Sequence, residues 1–254
     1  MNLSSISENS EVSPGIANDS PVIPMNFSET ISPEKRRIYH NILGNHPIRA
    51  IGILPELPLD KSLNKICKRA FDITFSFLVL VLLFSWLLPL LALLIKMDSK
   101  GPVFFLQKRS GRNNKLFTCV KFRTMIVNAE ANIKPAVEND IRITRIGNFL
   151  RNYYFDELPQ LLNVLKGEMS LIGPRPHMIS DDIRYIEEIE FYEFRKKVKP
   201  GITGLAQILG FTGPANDIEK MGKRVQLDII YVRHWSIAMD VKIFFRTIGK
   251  FFHF

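Results

Sequence analysis

Between Ile73 and Ile95 the chain is apolar almost without interruption, and no other stretch restricts its fold as strongly. A helix of this length measures about 34 Å, enough for a hydrocarbon core of about 30 Å, so length alone predicts a membrane span. The flanking charges point elsewhere. Lys65, Lys68 and Arg69 precede the run and Lys96, Lys100, Lys108 and Arg109 follow it, and an excess of Lys and Arg marks the cytoplasmic end of a membrane segment. Basic residues at both ends fit a segment that enters and leaves by one face. Pro89 offers a break, because it cannot donate to the carbonyl of Ser85, and the Ser85 hydroxyl can serve backbone groups so released.

A second informative stretch, LRNYYFDELPQLLNVLKGEMSLIGPRP, runs from Leu150 to Pro176. Leu158, Leu161, Leu162 and Leu165 recur at helical spacing, Pro159 is tolerated only in a first turn, and Gly167 stops the run. This predicts a helix over Glu157–Lys166 with Asp156 as its N-cap. Arg151 stands before the two acids and Arg175 follows in a rigid GPRP turn. A helix start of this kind stabilises anions, which suits phosphate handling, with Asp156 as a carboxylate nucleophile and Glu157 free to hold a divalent metal. On spacing alone, a simple helix cap at Asp156 explains the residues equally well.

Val103–Gln107 and Leu116–Val120 read as two strands of a β-hairpin around a turn of Gly111, Arg112, Asn113 and Asn114, which delivers Lys121 and Arg123 at its end. Asp181, Asp182, Glu187, Glu188 and Glu190 predict a charged, solvated helix face, with His177 structural or exposed. The last helix carries Val241, Phe244, Phe245, Ile248, Phe251 and Phe252 on one stripe with Lys242, Arg246 and Lys250 beside it, which fits a helix lying on anionic lipid. Residues 1–60 divide into a Ser-, Asn- and Pro-rich tail without the pattern of a signal peptide and a linker, and residues 61–254 form one domain that includes a membrane helix at 70–97.

With 254 residues, 46% of them hydrophobic, the chain can bury one good-sized core. A net charge of +9 admits either nucleic acid or an anionic membrane. The basic residues flank apolar stretches without an aromatic–basic motif, so no nucleic-acid ligand is expected. Cys67 and Cys119 make neither a disulfide scaffold nor a paired metal motif, which fits a reducing cytoplasmic setting.

KRAFD (Lys68 to Asp72), GPVFFLQKRSGRNNKLFTCVKFRTM (Gly101 to Met125), DELPQLLNVLKGEMSLIGPRP (Asp156 to Pro176) and KPGITGLAQI (Lys199 to Ile208), in this order, resemble the bacterial sugar transferases. These are monotopic polyprenyl-phosphate phosphoglycosyl transferases. The resemblance implies a mostly helical α+β domain with a small β-hairpin, anchored by a re-entrant helix hairpin and amphipathic interfacial helices on the cytoplasmic face of the bacterial inner membrane. It implies transfer of a sugar-1-phosphate from a UDP-sugar, UDP-glucose among them, to polyprenyl phosphate with release of UMP, opening exopolysaccharide, capsule or O-antigen assembly. Asp156 is then the nucleophile, Glu157 the Mg²⁺ holder, and Lys121, Arg151 and Arg175 the phosphate-binding cations, while Asp228 and Asp240 match acidic positions, Asp240 being the better site candidate. Membrane lipids are further partners, and a homodimer stays open. Trp86 stands where the family has proline, and Tyr154 where it has a small hydroxyl residue. These departures keep a second reading in view, a relative that binds polyprenyl phosphate or a partner without turnover.

Overall fold

The computed structural model describes residues 56–128, 136–137, 140–213 and 217–252. Nearly all of the expected tail and linker therefore lies outside the described residues. The apolar run is the middle of one helix of 37 residues: α1 (Ser62–Val79) continues through a π-helical turn (Leu80–Phe84) into α2 (Ser85–Asp98). Where the sequence placed the break at Pro89, the structure widens the helix upstream of it. Ser85 Oγ donates to the Val81 carbonyl at 2.7 Å and Trp86 Nε1 to that of Leu82 at 3.0 Å, so side chains serve carbonyls within the irregular turn. Trp86 thus has a polar task at the position where the resemblance led to proline.

Lys68, Asp72, Ser76, Phe84, Leu87, Leu91 and Ile95 form a buried stripe along this helix, three or four residues apart except across the wide turn. Phe71 and Phe75 of α1 pack on Phe244, while Leu87, Leu91 and Ile95 of α2 share a cluster with Phe122 and Leu150. Both halves therefore lie on the same domain. Only 22% of the most apolar window is buried, far too little for the core helix of a soluble protein. Phe77, Leu82, Trp86, Leu93 and Met97 face outward.

Strands β1 (Phe104–Ser110) and β2 (Leu116–Phe122) pair antiparallel, with Gln107 opposite Cys119 and Phe105 opposite Lys121. They run further than apolar pattern alone suggests, because ladder pairing carries Lys108, Arg109 and Ser110 into the sheet. Asn113 and Asn114 take φ of 52° and 60° in the turn, a left-handed conformation that asparagine tolerates.

Beyond the hairpin come α3 (Arg145–Asn152), a 3₁₀ turn (Phe155–Glu157) and α4 (Gln160–Lys166). Here the structure corrects the sequence. Asp156 caps no helix: it lies inside the 3₁₀ turn, and α4 starts later, with Pro159 at its N-cap and no side-chain cap. Tyr154, at φ 56°, reverses the chain just before the acids, and Gly167 at φ 84° ends α4 as expected.

β3 (Ser170–Ile172) pairs parallel with β4 (Gly201–Thr203), so KPGITG supplies a short strand. A Cβ on Gly201 would stand 2.1 Å from the Gly173 nitrogen, so only glycine permits this approach. That contact ties the GPRP loop to the core. The remaining elements are α5 (Ile179–Glu188), a 3₁₀ turn (Tyr192–Lys197), α6 (Leu205–Ile208), α7 (Ile218–His234) and α8 (Ile237–Phe252). Helix α8 buries Met239, Asp240 and Ile243 against the domain, puts Phe244 at the margin of that face and leaves Phe245 exposed. The protein is mostly helical with two small sheets, in line with the α+β expectation.

Candidate active site

Four elements converge on Asp156 and Glu157. The end of β2 brings Lys121, the last turn of α3 brings Arg151, the 3₁₀ turn carries the acids, and the loop after β3 brings Arg175. Glu157 is buried and fully engaged: Lys121 Nζ donates to Oε1 at 2.8 Å, Arg175 Nη1 donates to Oε2 at 2.9 Å, and Arg175 Nη2 also donates to Oε1. Arg151 Nε donates to Thr124 Oγ1 at 2.8 Å, which aims the guanidinium from the side of the β-hairpin.

The adjacent acids are driven apart electrostatically. Burial pushes Asp156 up to about 6; Lys121 opposes this shift, the Glu157 charge reinforces it, and Arg151 and Arg175 also oppose it. Burial acts in the same direction on Glu157, but the charges and hydrogen bonds of Arg175 and Lys121 outweigh it and hold this carboxyl well below the usual carboxylate range. Arg175 is raised in turn by the charge of Glu157. The result is one strongly paired carboxylate beside one that is buried and more basic. A more basic carboxylate is the better nucleophile, provided it is ionised at the working pH.

Asp156 and Glu157 are the carboxylates that would hold a divalent cation here, although Glu157 already accepts from Lys121 and Arg175. The pair does not make an all-protein cage, since among the described residues no three His, Cys, Asp or Glu side chains gather at one point.

The loop that carries Arg175 is itself braced. Arg195 Nη2 donates to the Arg175 carbonyl at 2.5 Å, and Arg195 Nε is fixed by Asp228 at 2.8 Å. Asp228 thus supports the site from behind. His177 is buried next to this brace, with Nδ1 2.6 Å from the Tyr192 hydroxyl and 3.0 Å from Arg195 Nη1, in keeping with the structural role read from the sequence.

Asp240 is placed elsewhere. It is fully buried and accepts from Lys68 Nζ at 2.7 Å, Tyr231 Oη at 2.8 Å and Trp235 Nε1 at 3.0 Å. Asp72 completes a neighbouring clasp, accepting from Ser170 Oγ at 2.9 Å and the Leu171 amide at 3.0 Å. Together they fasten α1 to α8 and β3.

Arg109, Cys119 and Gln160 were not singled out as site residues by sequence, yet they line a small cavity with Lys121, Arg175 and Pro176. Arg109 Nη1 donates to the Pro176 carbonyl at 3.1 Å and Nη2 to Gln107 Oε1 at 2.5 Å. Alternation along β1 and β2 puts Gln107, Arg109, Cys119 and Lys121 on one face, but the register that joins them is visible only in the folded hairpin.

The family model "Bacterial sugar transferase" matches residues 63–254. The chain belongs to the bacterial sugar transferase family. Among its relatives are UDP-glucose:undecaprenyl-phosphate glucose-1-phosphate transferases of Klebsiella pneumoniae, 45% identical over 84% of this chain and 46% of the relative, and of Escherichia coli K12, 46% identical over 78% and 43%. Another of the same name, from Caulobacter vibrioides, is 40% identical over 81% of this chain and 79% of its own length. The chain therefore spans less than half of the first two relatives. This bacterial sugar transferase brings Lys121, Arg151, Asp156, Glu157 and Arg175 together in one cluster.

Proposed function

We propose that this bacterial sugar transferase moves a sugar-1-phosphate from a UDP-sugar, UDP-glucose foremost, to undecaprenyl phosphate and releases UMP, as the first membrane step of an exopolysaccharide, capsule or O-antigen pathway. The observation that carries this reading is the buried Asp156–Glu157 pair ringed by Lys121, Arg151 and Arg175. The relatives named for this reaction support it. In the first half-reaction the Asp156 carboxylate attacks the sugar-bearing phosphorus, the P–O bond to the UMP moiety breaks, and an aspartyl phosphate bearing the sugar forms. In the second, an oxygen of the lipid phosphate attacks that phosphorus and Asp156 leaves as carboxylate. Lys121, Arg151 and Arg175 offset charge on the transferring phosphoryl group. Mg²⁺ bound at Glu157, with Asp156 adjoining, would supply further charge neutralisation on the diphosphate. UMP release measured with detergent-solubilised protein, undecaprenyl phosphate and a panel of UDP-sugars tests the assignment, and silence with every donor would overturn it in favour of a non-catalytic relative.

The same reading places the domain on the cytoplasmic face of the bacterial inner membrane. In this reading the helix Ser62–Asp98 enters and leaves by that face, bent at its π-helical turn, and α8 lies at the interface. Basic flanks and the packing of both halves on one domain support this over a straight span. Cysteine-accessibility labelling at positions 60 and 110 is expected to place both on the cytoplasmic side, whereas opposite sides would establish a span. Arg175→Ala is expected to lower turnover by about 10²-fold or more, in the range of losing one preorganised charge-stabilising donor, while membrane association is retained. An unchanged rate would show that GPRP is only a structural turn.

A further inference from the structure

An aromatic patch unused by the chemistry above adjoins Asp156. Phe149 on α3 and Tyr153 at the C-cap of that helix have ring centroids 4.9 Å apart, and Phe155 lies 6.1 Å and 6.0 Å from them. Phe149 is 46% exposed. Tyr153 and Phe155 are half-buried beside it, so three adjoining rings share one partly open apolar surface on which something apolar can dock. The patch continues inward: Phe155 joins Leu80, Leu83 and Leu158 against the cluster around Phe84. Partly buried apolar side chains thus link the wide turn of the long helix to the residue bonded to Asp156.

We propose that Phe149, Tyr153 and Phe155 seat the first isoprene units of the polyprenyl phosphate acceptor. This rests on the reading of Asp156 as the nucleophile. The acceptor phosphate has to reach the phosphorus carried on Asp156, so the tail must leave over the surface next to it. Exposing that tail to water is unfavourable in proportion to its apolar area, which favours a route lined by apolar side chains into the bilayer. Charge distribution assigns the two neighbourhoods of the acids. Lys121, Arg109 and Arg175 line the cavity suited to phosphates, and the aromatic rings and the helix turn suit the hydrocarbon. The exposed Phe149 ring and the half-buried Tyr153 and Phe155 rings offer rigid apolar surface to an unsaturated chain at low entropic cost.

The test uses the full chain in detergent and on vesicles. Phe149→Ala and the double variant Phe149→Ala/Tyr153→Ala are compared with wild type in acceptor-free UMP release, in KM for undecaprenyl phosphate, and in flotation with anionic phospholipid vesicles. The expected result is that acceptor-free release persists while the KM for undecaprenyl phosphate rises about tenfold, equivalent to ~1.4 kcal/mol, with kcat at saturation largely kept and Phe149→Leu restoring part of the loss. An unchanged KM overturns the proposal. Loss of flotation with an unchanged KM overturns it too, and makes the patch a general lipid anchor. Loss of acceptor-free release shows a structural role instead. Wild-type protein that releases no UMP without acceptor overturns the underlying assignment of Asp156, and this inference with it.

Discussion

Asp156→Asn is expected to fold, insert and bind substrate, yet to lose turnover by at least about 10⁴-fold, the order seen when a catalytic group acting in covalent chemistry is removed. Asparagine keeps the size and polarity of the side chain but lacks the attacking carboxylate. Wild-type protein given labelled UDP-sugar and Mg²⁺ without lipid should gain one sugar phosphate on the peptide containing Asp156, and the variant none. The pH profile offers an independent check. Burial raises Asp156 to about 6, and the ionised form is the nucleophile, so the first half-reaction should rise about tenfold per pH unit below 6 and level off above it. Bound Mg²⁺ would move this inflection down, since a cation favours the carboxylate. Near-normal turnover by Asp156→Asn would sink the covalent mechanism.

Asp240→Ala should produce the largest loss of stability. The substitution removes the acceptor shared by Lys68, Tyr231 and Trp235 in a fully buried place, leaving the Lys68 ammonium with only the more distant Asp72 carboxylate at 3.9 Å. Breaking such a pair costs about 3–5 kcal/mol, and in a domain of this size that corresponds to a fall in Tm on the order of ten degrees. Thermal unfolding of the detergent-solubilised protein would measure it. Acceptor-free UMP release at low temperature separates the two roles considered for Asp240. Retained release with a lowered Tm supports the helix clasp. Lost release at an unchanged Tm would return Asp240 to the substrate site.

The comparison between sequence and structure turns on range. Apolar periodicity, glycine stops and β-rich runs are local signals, and they foretold the long helix, the hairpin and the end of α4 at Gly167. The acids were found because Asp156, Glu157 and the flanking cations are close in sequence. Their relation was not. Side-chain spacing suggested a capped helix, and the structure instead shows a 3₁₀ turn entered through a left-handed Tyr154, because the chain must reverse between α3 and α4 to bring Glu157 against Lys121 and Arg175.

By itself, the sequence determined that the run between Ile73 and Ile95 would be too apolar for an aqueous surface and that its flanks would be basic, since both follow from composition over a short window. It also brought forward Lys121, Arg151, Asp156, Glu157 and Arg175 as candidates for handling phosphate. Only tertiary structure decided that Asp240 is a clasp, that Arg195 and Asp228 brace Arg175, and that Arg109 and Gln160 share a cavity with Lys121. These pairings join residues tens to more than a hundred positions apart. Their partners are selected by strand register and helix packing, which no local pattern of residues encodes.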